Sequence, residues 1–262
     1  MREKRHGFTL VEISLFLAIT GLLFAGVIVG VQNSMFQQRY NDSVQSFAEF
    51  LRSIYSQTSN VQNSNGKGRS NRAIYGRLVV FGETKKLNGD TNDNGTIFAY
   101  DVVGDADGAF SGDIESVIKR VDLNVVVESD STLDYAGNVD EYTPRWSARI
   151  QTTSNQPFYG AILVVRHPSS GTIHTLVKTS SSNSDGIYKI NNSVNTSGSN
   201  AATIKNLLDN WNGFTNKEID FCLNPNGNQP SQTRRNIRMI DNARNASGVE
   251  VIDLDSADNR CR

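Results

Sequence analysis

The sequence predicts an α+β fold, with one long N-terminal helix laid on a β-rich domain, and three observations carry that prediction. Residues 8–31 are 24 in number and their only charge is Glu12. Apolar residues then recur at helical spacing as far as Ile54. Beyond residue 60 the chain changes to short runs of β-branched and aromatic residues separated by Gly, Asn, Asp and Ser. The domains are accordingly read as residues 1–7, a basic leader; 8–31, an apolar helix; 32–60, its amphipathic continuation; and 61–262, a β-rich globular domain.

The leader carries Arg2, Lys4 and Arg5 against Glu3. At 1.5 Å per residue, 24 helical residues reach about 36 Å, enough to cross a hydrocarbon core of about 30 Å with some tilt. The positive leader is expected to stay cytoplasmic, which sends everything after Val31 outside. An ordinary secretory signal has an apolar core of about 7–15 residues and is cut after it. This run is too long, and the plausible cut falls before it, between Gly7 and Phe8. An acidic residue in such a span costs about 2.5–3.5 kcal/mol at the centre and usually marks function. No proline interrupts the run, and Gly21, Gly26 and Gly30 are read either as weak points or as close-packing positions.

Phe36, Tyr40, Val44, Phe47, Leu51 and Ile54 follow steps of four, four, three, four and three. With no Pro or Gly between Val31 and Asn60, residues 8 to 58 read as one helix whose second half packs on a sheet. A Gly/Ser/Asn-rich linker at 60–72 ends it. Strands are predicted at 74–81, 96–103, 117–127, 146–151, 158–166 and 172–178, with shorter ones at 187–190, 219–223, 237–240 and 249–254. A helical turn or two is placed at 201–211, and the Ser/Asn tract 180–200 reads as a loop.

The hexapeptide Gly7-Phe8-Thr9-Leu10-Val11-Glu12, between a basic leader and a retained apolar helix, resembles the prepilin segment of type IV pilins and pseudopilins. The resemblance implies a pilin-like fold and cleavage after Gly7 by a prepilin peptidase. It also implies N-methylation of Phe8 and a role for Glu12 in assembly, through the α-amine of a neighbouring subunit's first residue. The long helix followed by segments 75–82, 219–227, 234–240 and 246–254 loosely resembles the H-type pseudopilin branch. Implied partners are other pilin or pseudopilin subunits, the peptidase, an inner-membrane assembly platform and membrane lipid. The implied location is the cytoplasmic membrane, then an extracellular or periplasmic filament.

Cys222 and Cys261 are read as a disulfide, since an exported domain meets oxidising conditions and pilins often carry a comparable C-terminal loop. Asp90, Asn92, Asn94 and Asp101 match oxygen positions of a calcium-binding loop, although strands flank them and an ordinary hairpin is the competing reading. Basic and acidic residues nearly balance, 26 against 27, and removal of the leader takes the net charge from −1 to −3. This excludes a general polyanion binder. Arg234, Arg235 and Arg238 form the one dense basic run, but residues 215–262 hold seven bases and seven acids. Binding of nucleic acid is therefore the lesser reading, to be tested by salt-dependent binding that neutralising these three would abolish.

His6, His167 and His174 make no metal pair or catalytic arrangement and read as leader, turn and surface-strand residues, so neither catalysis nor a cofactor is expected. The expected function is that of a structural filament subunit of a type IV pilus or type II secretion system. A tip-located binding module, an adhesin or DNA receptor on the same anchor, is the alternative.

Overall fold

The computed structural model describes residues 9–60, 72–83, 86–87, 90–91, 96–105, 112–114, 118, 124–126, 139–151, 159–180, 215–224, 234–241, 243–254 and 261. The leader, Phe8, residues 61–71 of the linker, the strand expected at 187–190 and the turn expected at 201–211 lie outside these residues. So does nearly all of the Ser/Asn tract.

Helix α1 is a single element, Leu10–Ser59, of 50 residues. At 1.5 Å per residue it is about 75 Å long. It begins two residues later than expected because Thr9 takes the N-cap position with extended backbone, φ −76° and ψ 151°. It ends where Asn60 donates its backbone N–H to the Ser56 carbonyl, 3.0 Å away. Gly21, Gly26 and Gly30 lie within it, and a Cβ at any of them would meet nothing within 4 Å.

The strands are β1 Arg72–Glu83, β2 Lys86–Leu87, β3 Asp90–Thr91, β4 Thr96–Asp105, β5 Asn124–Val126, β6 Val139–Tyr142, β7 Arg149–Gln151, β8 Tyr159–Arg166, β9 Ile173–Ser180, β10 Ile219–Asn224, β11 Arg234–Met239 and β12 Val249–Leu254. Six form one sheet in the order β5-β4-β1-β8-β9, with β6 also pairing β4. Four form a second sheet, β12-β11-β10-β7, and β2 and β3 make a small hairpin. The pairings in all three are antiparallel.

The runs Leu78-Val79-Val80-Phe81 and Ala161-Ile162-Leu163-Val164-Val165 are buried along their whole length. Continuous apolar runs of this kind suit strands covered on both faces. Gly76 sits at an irregularity of the β1·β4 register, and a Cβ there would overlap the Val164 carbonyl of β8. Only a glycine allows the two backbones to approach this closely.

The second half of α1 fills the space between the two sheets. Val79 and Phe81 from β1, Ile97 and Ala99 from β4, and Ile162 and Val164 from β8 meet it from the six-stranded sheet. Phe221, Leu223, Ile237, Met239 and Val249 meet it from the other. Phe47 stands at the centre. Its ring lies edge-on to Phe81 at 6.3 Å and to Phe221 at 5.5 Å, and stacks on Tyr142 at 5.8 Å, so one side chain joins both sheets. Truncating a buried Phe to Ala typically costs about 3–5 kcal/mol.

Three sequence expectations need correction. Of the strand expected at 117–127, the described residues show Asn124–Val126 as strand and Ile118 as helical. The strand expected from Trp146 starts at Arg149, because Pro144 leads into a 3-10 turn at Arg145–Ser147 in which Trp146 adopts φ 58° and ψ 32°. Phe36 belongs to the predicted stripe but stays 45 % exposed, since the packed half of the helix begins at Tyr40.

Candidate functional site

The molecule's most unusual surface is the first half of α1. From Leu10 to Gln38 no described residue of the helix is buried, and its large apolar side chains project in every direction. This segment is long and apolar enough to cross a membrane. Leu, Ile, Val, Phe and Ala supply helix formers without a polar face, so no orientation of the segment in water hides its apolar surface.

Glu12 closes the start of this arm. Its carboxylate Oε2 accepts from the Thr9 backbone N–H at 2.9 Å and from the Thr9 hydroxyl at 2.9 Å. The Glu12 backbone N–H in turn donates to Thr9 Oγ1 at 3.3 Å. This is a reciprocal capping box, which satisfies two of the orphan donors at a helix N-terminus. A helix cap alone thus gives Glu12 a use in the apolar run, beside any role in assembly. The signal Thr-x-x-Glu before an apolar run was present in the sequence. The expected cleavage bond Gly7–Phe8 and methylation site Phe8 lie outside the described residues.

The arm joins the head at Arg39 and Tyr40. The Arg39 guanidinium lies over the Trp146 ring, 4.8 Å from its centroid. The Tyr40 hydroxyl donates to the Arg235 carbonyl at 3.1 Å and accepts from the Arg235 N–H at 2.8 Å. Ser43 donates to the Arg145 carbonyl at 2.8 Å. Further along, Arg52 donates to the Val249 carbonyl at 3.0 Å. Near the far end Tyr55 meets Thr175 at 2.8 Å. Thr175 spends its own proton on the Ala243 carbonyl at 2.9 Å, so Tyr55 is the donor. Burial pushes the Tyr55 phenol up to about 12, so it remains protonated at neutral pH.

Cys222 of β10 and Cys261 are disulfide-bonded, with Cα atoms 5.1 Å apart. The bond ties the extreme C-terminal region to the face of β10 that points away from α1.

Asp101, the expected twelfth position of a calcium loop, lies within β4 directly opposite Arg77 of β1. Its carboxylate meets Arg77 Nε at 3.0 Å, and Arg77 also reaches Asp140 at 2.9 Å. Asp101 is thus buried in an ion-paired cluster beneath the end of α1. Asn92 and Asn94 lie outside the described residues, and Asp90 falls in the β2–β3 hairpin. Arg77 and Asp101 also line a cavity of about 300 Å³ with Ser56, Gln57, Thr58 and Asn60.

The arginine run does not make one patch. Strand alternation sends Arg235 and Arg238 to opposite faces of β11. Arg235 pairs with Asp253 at 2.6 Å, and Arg238 with Asp220 at 2.9 Å and Glu218 at 3.2 Å.

His167, expected in an exposed turn, is buried. Its Nδ1 accepts from the backbone N–H groups of Ser169 and Ser170, so Nε2 carries the proton offered to the Gly112 carbonyl at 3.1 Å. Among the described residues no group of three or more His, Cys, Asp or Glu side chains is placed to hold a metal ion.

Compared with known proteins, the chain matches no family model, no curated protein and no solved structure.

Proposed function

We propose that this chain is a structural subunit of a membrane-assembled filament of the type IV pilus or type II secretion class, resembling pilins and pseudopilins. The observation that supports it best is one uninterrupted helix whose first half is unburied and whose second half packs into the core of the β-rich head. In this reading the arm first sits in the cytoplasmic membrane. It then exchanges lipid for the arms of neighbouring subunits after a prepilin peptidase has cut at Gly7 and Phe8 has been methylated. Packing among apolar helices drives the transfer, and Glu12 sets register by meeting the neighbour's terminal amine. The chain's work is mechanical rather than catalytic.

The capping box dictates the form of the test. Glutamine replaces glutamate in such a box without losing the acceptor oxygen, but it carries no charge. Glu12→Ala removes both. If charge pairing drives assembly, Glu12→Gln and Glu12→Ala both remain in the membrane fraction and both fail to enter filaments sheared from cells. Normal incorporation of Glu12→Gln would reduce Glu12 to a helix cap and remove the assembly role. Mass spectrometry of the mature N-terminus tests processing independently, through a mass beginning at N-methylated Phe8.

A further inference from the structure

Among the described residues, Trp146 is the one exposed large apolar side chain outside the arm. It is 55 % exposed, and its φ of 58° is a conformation that bulky L-residues rarely adopt. The ring's contact is with the Arg39 guanidinium at the junction of arm and head. The turn that holds it is itself firmly placed, with Pro144 buried and the Arg145 carbonyl taken by Ser43.

The position of the ring explains its exposure. Two hydrogen bonds orient the four-stranded sheet along α1: Tyr40 to Arg235, and Arg52 to Val249. The end of that sheet nearest the arm therefore holds Arg235 and, through the pairing of Asn224 with Arg149, the start of β7. The described residues at that end include Arg39, Arg145, Arg149 and Arg235 with Asp42 and Asp253, more bases than acids. Arg39 lies eight residues beyond Val31, or about 12 Å along the axis. Helical side chains lean toward the N-terminus, so its guanidinium and the stacked Trp146 ring reach back toward the arm. That brings them to the headgroup layer, which extends about 5–8 Å beyond the hydrocarbon. Tryptophan and arginine are the side chains that favour this layer.

We propose that Trp146, stacked on Arg39 and flanked by Arg145 and Arg149, docks the underside of the head onto the headgroups of an anionic bilayer. This rests on the arm spanning that bilayer. Docking holds the waiting subunit upright at the membrane surface and is released when the arm leaves the lipid.

The test uses the full chain carrying Trp211→Phe, so that Trp146 is the only tryptophan. The protein is reconstituted into vesicles of equal parts phosphatidylcholine and phosphatidylglycerol, with bromine placed near the headgroup end of the acyl chains. Docking predicts blue-shifted Trp146 emission that the bromines quench. Arg145→Gln and Arg149→Gln should each lower the docked-to-undocked ratio about fivefold. The difference between the wild-type chain and Trp146→Phe gives the same readout should the Trp211 variant fold poorly. Alkaline carbonate extraction reports separately on the arm. A chain that extracts overturns both the spanning arm and the docking. A chain that stays in the membrane with solvent-like, unquenched Trp146 emission overturns the docking alone. A blue shift that escapes quenching and grows with the protein-to-lipid ratio assigns Trp146 to a second copy of the chain and also overturns the docking.

Discussion

The two halves of α1 share one backbone and differ in what surrounds them. From Tyr40 onward the apolar residues keep to a stripe, and Val44, Phe47, Leu51 and Ile54 are all buried within the head. Before Gln38 the apolar residues cover the whole circumference and all of them are exposed. The halves differ in the solvent they are made for. The head half buries one side against sheets and shows water the other. The arm half has no side that water suits, and under the proposed function lipid or the helices of other subunits supply its surroundings.

The most forceful way to break this comparison is to remove a large apolar side chain from each half. Phe47→Ala should cost the head about 3–5 kcal/mol in urea unfolding, while Leu17→Ala in the arm leaves that transition unchanged. A loss of head stability from Leu17→Ala would show that the arm is part of the head's core. Next in size is the disulfide, which closes a span of 39 residues and braces the sheet that clasps the helix. Replacing Cys222 and Cys261 with Ala should lower head stability by about 2–4 kcal/mol without altering membrane association.

Smaller effects sharpen the boundary at the far end. Tyr55→Phe deletes the donor that links α1 to β9, and Thr175 keeps its bond to Ala243, so about 1 kcal/mol should be lost. The mildest effect is a pH dependence confined to the head. Burial pulls the His174 imidazole below its ordinary value, and the His167 ring and the Arg244 charge act in the same direction. Below about pH 6.5 the unfolded chain therefore binds a proton that the folded head resists, so stability falls as pH falls through that value. His174→Gln should shrink the decline in Tm between about pH 7.5 and about pH 5. An unchanged decline would assign it to other groups.

The period of the apolar residues made the helix and most of the strands legible. Strand β6 escaped notice because Val139-Asp140-Glu141-Tyr142 is half charged. Asp140 is held there by Arg77 of β1, a partner 63 residues away. The Arg145–Trp146 turn escaped for a related reason, since its left-handed residue is supported by α1 rather than by local sequence. Spacing along the chain alone suggested the calcium loop and the basic run, and the hairpin and mixed-charge readings rested on the same sequence. In β4, register puts Asp101 opposite Arg77, and in β11, alternation separates Arg235 from Arg238. Only the capping box of Thr9 and Glu12 was locally written and still overlooked, because the same six residues carried a second meaning.

The absence of any break between Val31 and Tyr40 has a rotational consequence. A continuous helix advances about 100° per residue, so arm and head are locked in angular phase. Deleting one residue from this segment would swing the head about 100° around the arm while lowering it by only about 1.5 Å. In the proposed filament a row of such subunits would turn all its heads together, and the bearing of each is set by the count of residues in a stretch with no buried residue among those described up to Gln38.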